Sequence, residues 1–127
     1  MAEPVPKNEG IVVPEALINF IEKCDPTLLK PDMKEFLILL IEERNRFGME
    51  KYGQPLRTQD GRRDLRDALD ELGDLLQYLM KARLNGHNLQ GILDIIPFLI
   101  LLCDTPTPKT PKKTNSANLR CYLHKKK

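Results

Sequence analysis

At 127 residues the chain is long enough for one domain with a single modest core. Its three cysteines are widely spaced and form no Cys-x-x-Cys pair, which argues against a disulfide framework and a structural zinc site and fits a reducing compartment. The formal charge of +2 conceals an asymmetry, because residues 1–104 carry all 18 acids and a net charge of −5, whereas residues 105–127 carry +7. The body is therefore acidic and the tail basic, and each predicts its own kind of partner.

The N-terminal sequence MAEPVPKNEG lacks the charged and then apolar pattern of a signal peptide. The longest apolar run, residues 92–103, contains Asp94 and Pro97 and is too short to span a bilayer. We therefore expect no membrane association and an intracellular, cytoplasmic protein, with a nuclear location as the alternative that the basic tail suggests.

The sequence divides into three parts. Residues 1–13 are polar and contain proline, which predicts a flexible N-terminus. Residues 14–104 have helical periodicity and predict an all-α domain with a four-helix bundle-like core. Residues 105–127 form a Pro/Thr/Lys-rich basic tail that we expect to be disordered.

Pro14 is suited to the first position of a short helix, which Asp25-Pro26 would end. Asp32 followed by Glu35 resembles a capping box at the start of a second helix. The run from 36 to 41 is apolar on nearly all sides, which predicts a deeply buried helix.

Glu43 falls in an apolar stripe of this second helix, where a carboxylate without a partner is costly. The simple interpretation is an ion pair with Arg46, three residues later. Gly48 is expected to interrupt the helix.

The segment from Gly48 to Gly61 then reads as the longest connection in the body. It carries several cations and a tyrosine close to two helices that bear carboxylates. Such a cluster suits a polyphosphate, although solvated lysines in an exposed loop are the simpler interpretation. The residues concerned in and after this loop are Lys51, Tyr52, Arg57, Arg62 and Arg63.

The stretch 60–80 contains the clearest helical pattern, which predicts a third helix from about Arg62 to Leu84 that ends at Asn85-Gly86. One face carries leucines at helical spacing, and the opposite face carries acids and Tyr78. Arg63 and Arg66 precede Asp67 and Asp70 by four residues and provide them with ion-pair partners, whereas Glu71 and Asp74 have no basic neighbour at that spacing. The leucines are Leu65, Leu69, Leu72, Leu76 and Leu79.

Unpaired acids on one helix face either are simply solvated or hold a cation. Glu42 and Glu43 on the second helix, with Glu71 and Asp74 on the third, predict carboxylates that converge from two facing helices. Ligands that are all oxygen favour Mg²⁺, or Mn²⁺, over zinc. A fourth helical segment is expected from about residue 88 to Cys103, broken or kinked at Pro97.

These residues resemble the MazG-like branch of the all-α nucleoside triphosphate pyrophosphohydrolases, and most closely its phage or viral type. The segment Glu71-Leu72-Gly73-Asp74 matches the family's ExxD motif, and Glu42-Glu43 matches the first two positions of its EExxE motif. Arg46 stands where that motif has its third acid. Arg46, Lys51, Tyr52, Gly53, Asp67 and Ala68 also follow the pattern of the phage-type members, so the resemblance covers about residues 32–84.

The resemblance implies Mg²⁺-dependent hydrolysis of an NTP or dNTP to the monophosphate and pyrophosphate. It implies that Glu43, Glu71 and Asp74 are metal ligands, with Glu42 as a further ligand or a base. Lys51 and Arg63 would hold phosphates, and Tyr52 and Asp67 would shape the nucleotide site. It also implies a homodimer or homotetramer.

Two alternatives stay open. The same fold serves as a non-catalytic interaction or nucleotide-binding module, which the arginine at position 46 favours. Alternatively, the protein associates with nucleic acid through the basic residues 105–127.

Overall fold

The computed structural model describes residues 9–104, and the basic tail with its predicted disorder lies outside the described residues. Four α-helices and one short 3₁₀ helix make up this part, which confirms the all-α prediction. The helices are α1 (Val13–Glu22), α2 (Pro31–Tyr52), α3 (Asp64–Leu84) and α4 (Ile96–Asp104), with the 3₁₀ helix at Gln90–Ile95. None of the described helices combines the length and apolar character that crossing a membrane requires.

The described chain separates into two compact units. The first unit contains residues 9–62 and 94–98, and the second contains 63–93 and 99–104. In the first unit α1 packs against α2, and the Phe20 and Phe98 rings meet edge to face with their centroids 6.0 Å apart. Its buried hydrophobic residues are Ile21, Cys24, Leu29, Leu37 and Phe98.

Helix α2 differs from its sequence prediction at both ends. It starts one residue before Asp32, at Pro31, and no side chain caps it, because the Asp32 carboxylate accepts the neighbouring amide of Met33 instead. It also continues through Gly48 to Tyr52, and the next residue, Gly53, has a left-handed φ of 75°. The capping box and the interruption at Gly48 were therefore wrong, since a single helical glycine costs only about 1 kcal/mol.

The expected deep burial of residues 36–41 is also wrong for this chain by itself. Leu37 is buried, but the side chains of Phe36 and Leu39 are 54% and 58% exposed. Among the described helices α1 is the one that packs against α2, so an apolar run that surrounds α2 leaves some of its residues exposed.

Residues 9–13, the described part of the segment 1–13 that was expected to be flexible, pair with the loop after α2. An isolated antiparallel bridge joins Val12 to Arg57, and the Thr58 amide donates to the Ile11 carbonyl at 2.9 Å. The Ile11 amide in turn donates to the Thr58 hydroxyl at 2.9 Å. These bonds fix the loop that leads from α2 towards α3.

In the second unit, α3 begins at Asp64, two residues after the expected start at Arg62, and it ends at Leu84, just before Asn85-Gly86, as the sequence predicts. At the C-terminal end of α3 the amide of His87 donates to the Ala82 carbonyl at 3.0 Å, and Gly86 has a left-handed φ of 86°. No described side chain of residues 63–93 or 99–104 is buried. No apolar residue of the leucine-rich helix α3 is therefore fully buried, although Leu69 and Leu79 are half-buried.

Candidate functional site

The two predicted acids of α3 are exposed and lie one turn apart. Glu71 and Asp74 form no ion pair or hydrogen bond with a side chain in the described part of the chain. By contrast, Arg66 holds Asp70 at 3.1 Å across one helical turn, as the spacing predicts. Glu71 and Asp74 thus present two carboxylates that no neighbouring cation neutralises.

Glu42 and Glu43 are exposed on α2. Glu43 borders a shallow depression of about 300 Å³ together with Phe36, Leu39 and Arg46. Within residues 9–104 no ion pair joins Glu43 to Arg46, so the simple interpretation of Glu43 does not hold. Its carboxylate lies beside the apolar side chains of Phe36 and Leu39, and no ion pair to it is formed by the part of the chain that the structure describes.

The described residues contain no group of three or more His, Cys, Asp or Glu side chains placed to hold a metal ion. Glu43 belongs to the first unit, and Glu71 and Asp74 belong to the second. The three-carboxylate set of Glu43, Glu71 and Asp74 therefore stays a prediction. A pair such as Glu71 and Asp74 still suits Mg²⁺, which is often bound by one or two carboxylates with waters and substrate phosphates.

Lys51, one of the two residues predicted to hold phosphates, lies beside Tyr52 in the first unit, together with Arg62. The Lys51 ammonium lies 5.1 Å from the centre of the Tyr52 ring, and the Arg62 guanidinium lies 6.0 Å from it. One terminal nitrogen of Arg62 also donates to the Tyr52 hydroxyl, at 3.4 Å. Such cation–π contacts stabilise the arrangement by about 0.5–1 kcal/mol each where they are exposed.

Buried Asp60 organises the loop beside this cluster. Its side chain is 3% exposed, and one carboxylate oxygen accepts the main-chain amide of Arg62 at 3.0 Å. This turn places Arg62 next to Tyr52 and precedes Arg63, the residue before α3. The sequence shows an Asp-Gly turn here, but its periodicity does not reveal that the aspartate is buried.

Next to the Tyr52 cluster lies a cavity of about 390 Å³, lined by α1, α2 and the loop after α2. Sequence reasoning missed three of its polar lining residues, namely Arg44, Asn45 and Gln54. Ile41, Arg44, Asn45, Gly48 and Tyr52 recur at helical spacing, and that periodicity was the available signal.

Arg63 and Asp67, the other two predicted substrate-binding residues, lie at the start of α3 in the second unit. Arg63 is exposed and Asp67 is half-buried. The main-chain amide of Asp67 donates to the Arg63 carbonyl at 2.9 Å, which is the first bond of the helix.

Comparisons of the chain with protein families, with curated proteins and with solved structures give no match.

Proposed function

We propose that the protein is a Mg²⁺-dependent nucleoside triphosphate pyrophosphohydrolase that converts an NTP or dNTP to its monophosphate and pyrophosphate. The observation that carries this proposal is the pair Glu71 and Asp74, which are exposed one turn apart on α3 and form no ion pair with any residue of the range 9–104. The cation cluster at Lys51, Tyr52 and Arg62 supports it, because phosphates bind best to charged donors.

In this proposal Glu71 and Asp74 hold the metal ion, with Glu43 as a third ligand. The ion, when bound, would neutralise phosphate oxygens and lower the pKa of a water. Lys51 and Arg63 hold the triphosphate, and Tyr52 and Asp67 shape the nucleotide site. Glu42 either completes the ligand set or accepts a proton from the attacking water.

Two copies of the chain are part of the same proposal. Helix α3 has no buried residue, and Leu76 and Tyr78 are 58% and 67% exposed. Exposed apolar residues in this number mark an interaction surface. A homodimer or homotetramer that covers α3 would supply the core that the second unit lacks, and would build the four-helix bundle.

The test is hydrolysis of a panel of NTPs and dNTPs by the purified full chain with Mg²⁺, with pyrophosphate and phosphate measured separately. We expect pyrophosphate and the monophosphate, and a loss of about 100-fold in kcat/KM for Glu71→Gln and for Asp74→Asn. Asp70→Asn is the matched control, because Asp70 lies on the same helix and is paired with Arg66.

Absence of pyrophosphate with every nucleotide would refute the enzyme. Equal pyrophosphate release by Glu71→Gln and Asp70→Asn would instead show that Glu71 is not a metal ligand. Nucleotide binding without turnover would instead identify a non-catalytic module of the same fold. The arginine at position 46 and the absence of a three-acid group in residues 9–104 favour that second candidate.

A further inference from the structure

The cavity in the first unit has apolar walls. Leu17 of α1, Ile41 of α2 and the loop residues Pro55 and Leu56 form them. Its volume of about 390 Å³ lies in the range of small-molecule sites, about 300–1,000 Å³. It is therefore large enough for a nucleobase and part of its sugar.

Gly48 keeps this space open. It lies inside α2 and lines the cavity, and a Cβ atom added there would meet no other atom within 4 Å. Alanine would fit at this position and would favour the helix by about 1 kcal/mol. A larger side chain at position 48 would extend into the cavity.

Among residues 9–104, the charged side chains that line the cavity are all positive: Arg44 and Arg62 line it, and no aspartate or glutamate of this range does. Arg44 is exposed, and its guanidinium carbon lies 4.6 Å from the Phe47 ring centre. Arg62 is held beside Tyr52 by the contacts described above. The cavity therefore suits a ligand with an apolar body and an anionic end.

The neutral polar lining consists of Asn45, Gln54 and the Tyr52 phenol. An amide side chain carries both donors and an acceptor, which is the combination that the edge of a nucleobase requires. A planar base also has two apolar faces that pack against aliphatic and aromatic walls. A simple fatty acid would use the walls and the arginines but not the amides.

We propose that this cavity is the base-binding site of the nucleotide, with the Arg44 and Arg62 guanidinium groups directed to its phosphates. The inference rests on the proposed function for its choice of ligand. It adds Arg44, Asn45, Gly48 and Gln54, which neither the motif resemblance nor the acidic residues indicate.

The binding test uses the full chain without divalent metal. Deoxynucleosides and their 5′-monophosphates are titrated, and amide chemical shifts are followed by NMR. We expect shifts at Gly48, Gln54 and Leu56, and weaker binding by about 10-fold or more for Gly48→Leu. Gly91→Leu is the control, because Gly91 lies in the 3₁₀ helix and a Cβ added there also meets nothing within 4 Å.

The substitutions Arg44→Gln and Arg62→Gln test binding of the phosphate end of the ligand separately from binding of its base. They should weaken binding of the monophosphate and leave binding of the nucleoside within about twofold. If Gly48→Leu fails to fold, the changes in the amide chemical shifts of the wild-type chain still show whether nucleotides bind in the cavity. Decanoate is titrated in parallel, and shifts with decanoate but with no nucleotide would overturn the proposal.

Different results would contradict the base-binding site and the proposed enzyme activity. If the wild type releases pyrophosphate but Gly48→Leu leaves KM unchanged, the base site is wrong and the enzyme stands. If nucleotides shift the cavity residues but no pyrophosphate forms, the base site stands and the enzyme is wrong.

Discussion

The main-chain amide of Val13 donates to the carbonyl of Leu56 at 2.8 Å and thereby joins the start of α1 to the loop after α2. Val13 and Leu56 both line the cavity beside Tyr52. Residues 9–13 therefore serve as a strap that holds one wall of the cavity in place. The hydrogen bonds from Thr58 and Gln59 to Ile11 and Glu9 extend the same strap.

Gly10→Ala should loosen this strap. Gly10 has φ 88°, and an added Cβ would collide with the Thr58 hydroxyl and lie 2.7 Å from the Gln59 main-chain nitrogen. Since a main-chain nitrogen cannot rotate away, we expect the free energy of unfolding to fall by about 2–3 kcal/mol. Chemical denaturation of the full chain provides the measurement.

Gly86→Ala is the control for backbone strain alone. Gly86 has φ 86°, but an added Cβ there meets no atom within 4 Å. Its cost should be about 1 kcal/mol. Equal effects of the two substitutions would show that residues 9–13 do not hold the loop.

The Asp25 carboxylate should make stability depend on acid pH. The Thr27 amide donates to it at 2.9 Å and the Thr27 hydroxyl at 2.8 Å, and these bonds lower the pKa of Asp25 below its ordinary 3.8. A lowered pKa in the folded state stabilises the fold above the ordinary value, and this contribution is lost as the pH falls through the lowered one.

Asp25→Asn should therefore be less stable than the wild type at neutral pH, and the difference should shrink as the pH falls below 3.8. Because Asp25 is exposed, the effect should be small. Thr27→Ala keeps the amide donor and should give an intermediate result. The measurement is the urea midpoint of the wild type and of Asp25→Asn across the acid range. A difference between the two midpoints that is the same at every pH would contradict this account.

Leu76→Lys should disrupt self-association through α3. A lysine in the middle of an apolar interface leaves an unpaired charge, which an assembly does not tolerate. We expect light scattering to give a smaller mass for the variant at the same protein concentration, with unchanged helix content by circular dichroism.

Gln77→Lys is the matched control, because it introduces the same charge on the neighbouring exposed residue. It should assemble like the wild type. A wild type that stays monomeric at every concentration would rule out α3 as a surface for a second copy.

Deletion of residues 105–127 should separate nucleic-acid binding from hydrolysis. These residues carry a charge of +7 and the rest of the chain carries −5. We expect the deletion to abolish any retention on DNA. For the full chain, the logarithm of the binding constant for duplex DNA should fall with the logarithm of the salt concentration, with a slope of up to about −6. Pyrophosphate release should be unchanged, and its loss would place the tail in the catalytic machinery.

The sequence by itself determined the helical elements and the local charge pairs. The periodicity of α3, its end at Asn85-Gly86 and the Arg66–Asp70 pair all depend on residues within one or two turns of each other. The same local rules identified Glu71 and Asp74 as the unpaired acids, because the absence of a neighbouring cation is visible at helical spacing.

The tertiary structure alone decided which apolar residues are covered and where the loop after α2 lies. Val13 and Leu56 are separated by more than forty positions, so no local pattern predicts their hydrogen bond. Gly48 was expected to break α2, but packing of α1 against α2 outweighs one unfavourable helical residue and turns that glycine into part of a cavity. Long-range contacts of this kind are not encoded in periodicity, because they depend on what each face meets after the chain has folded.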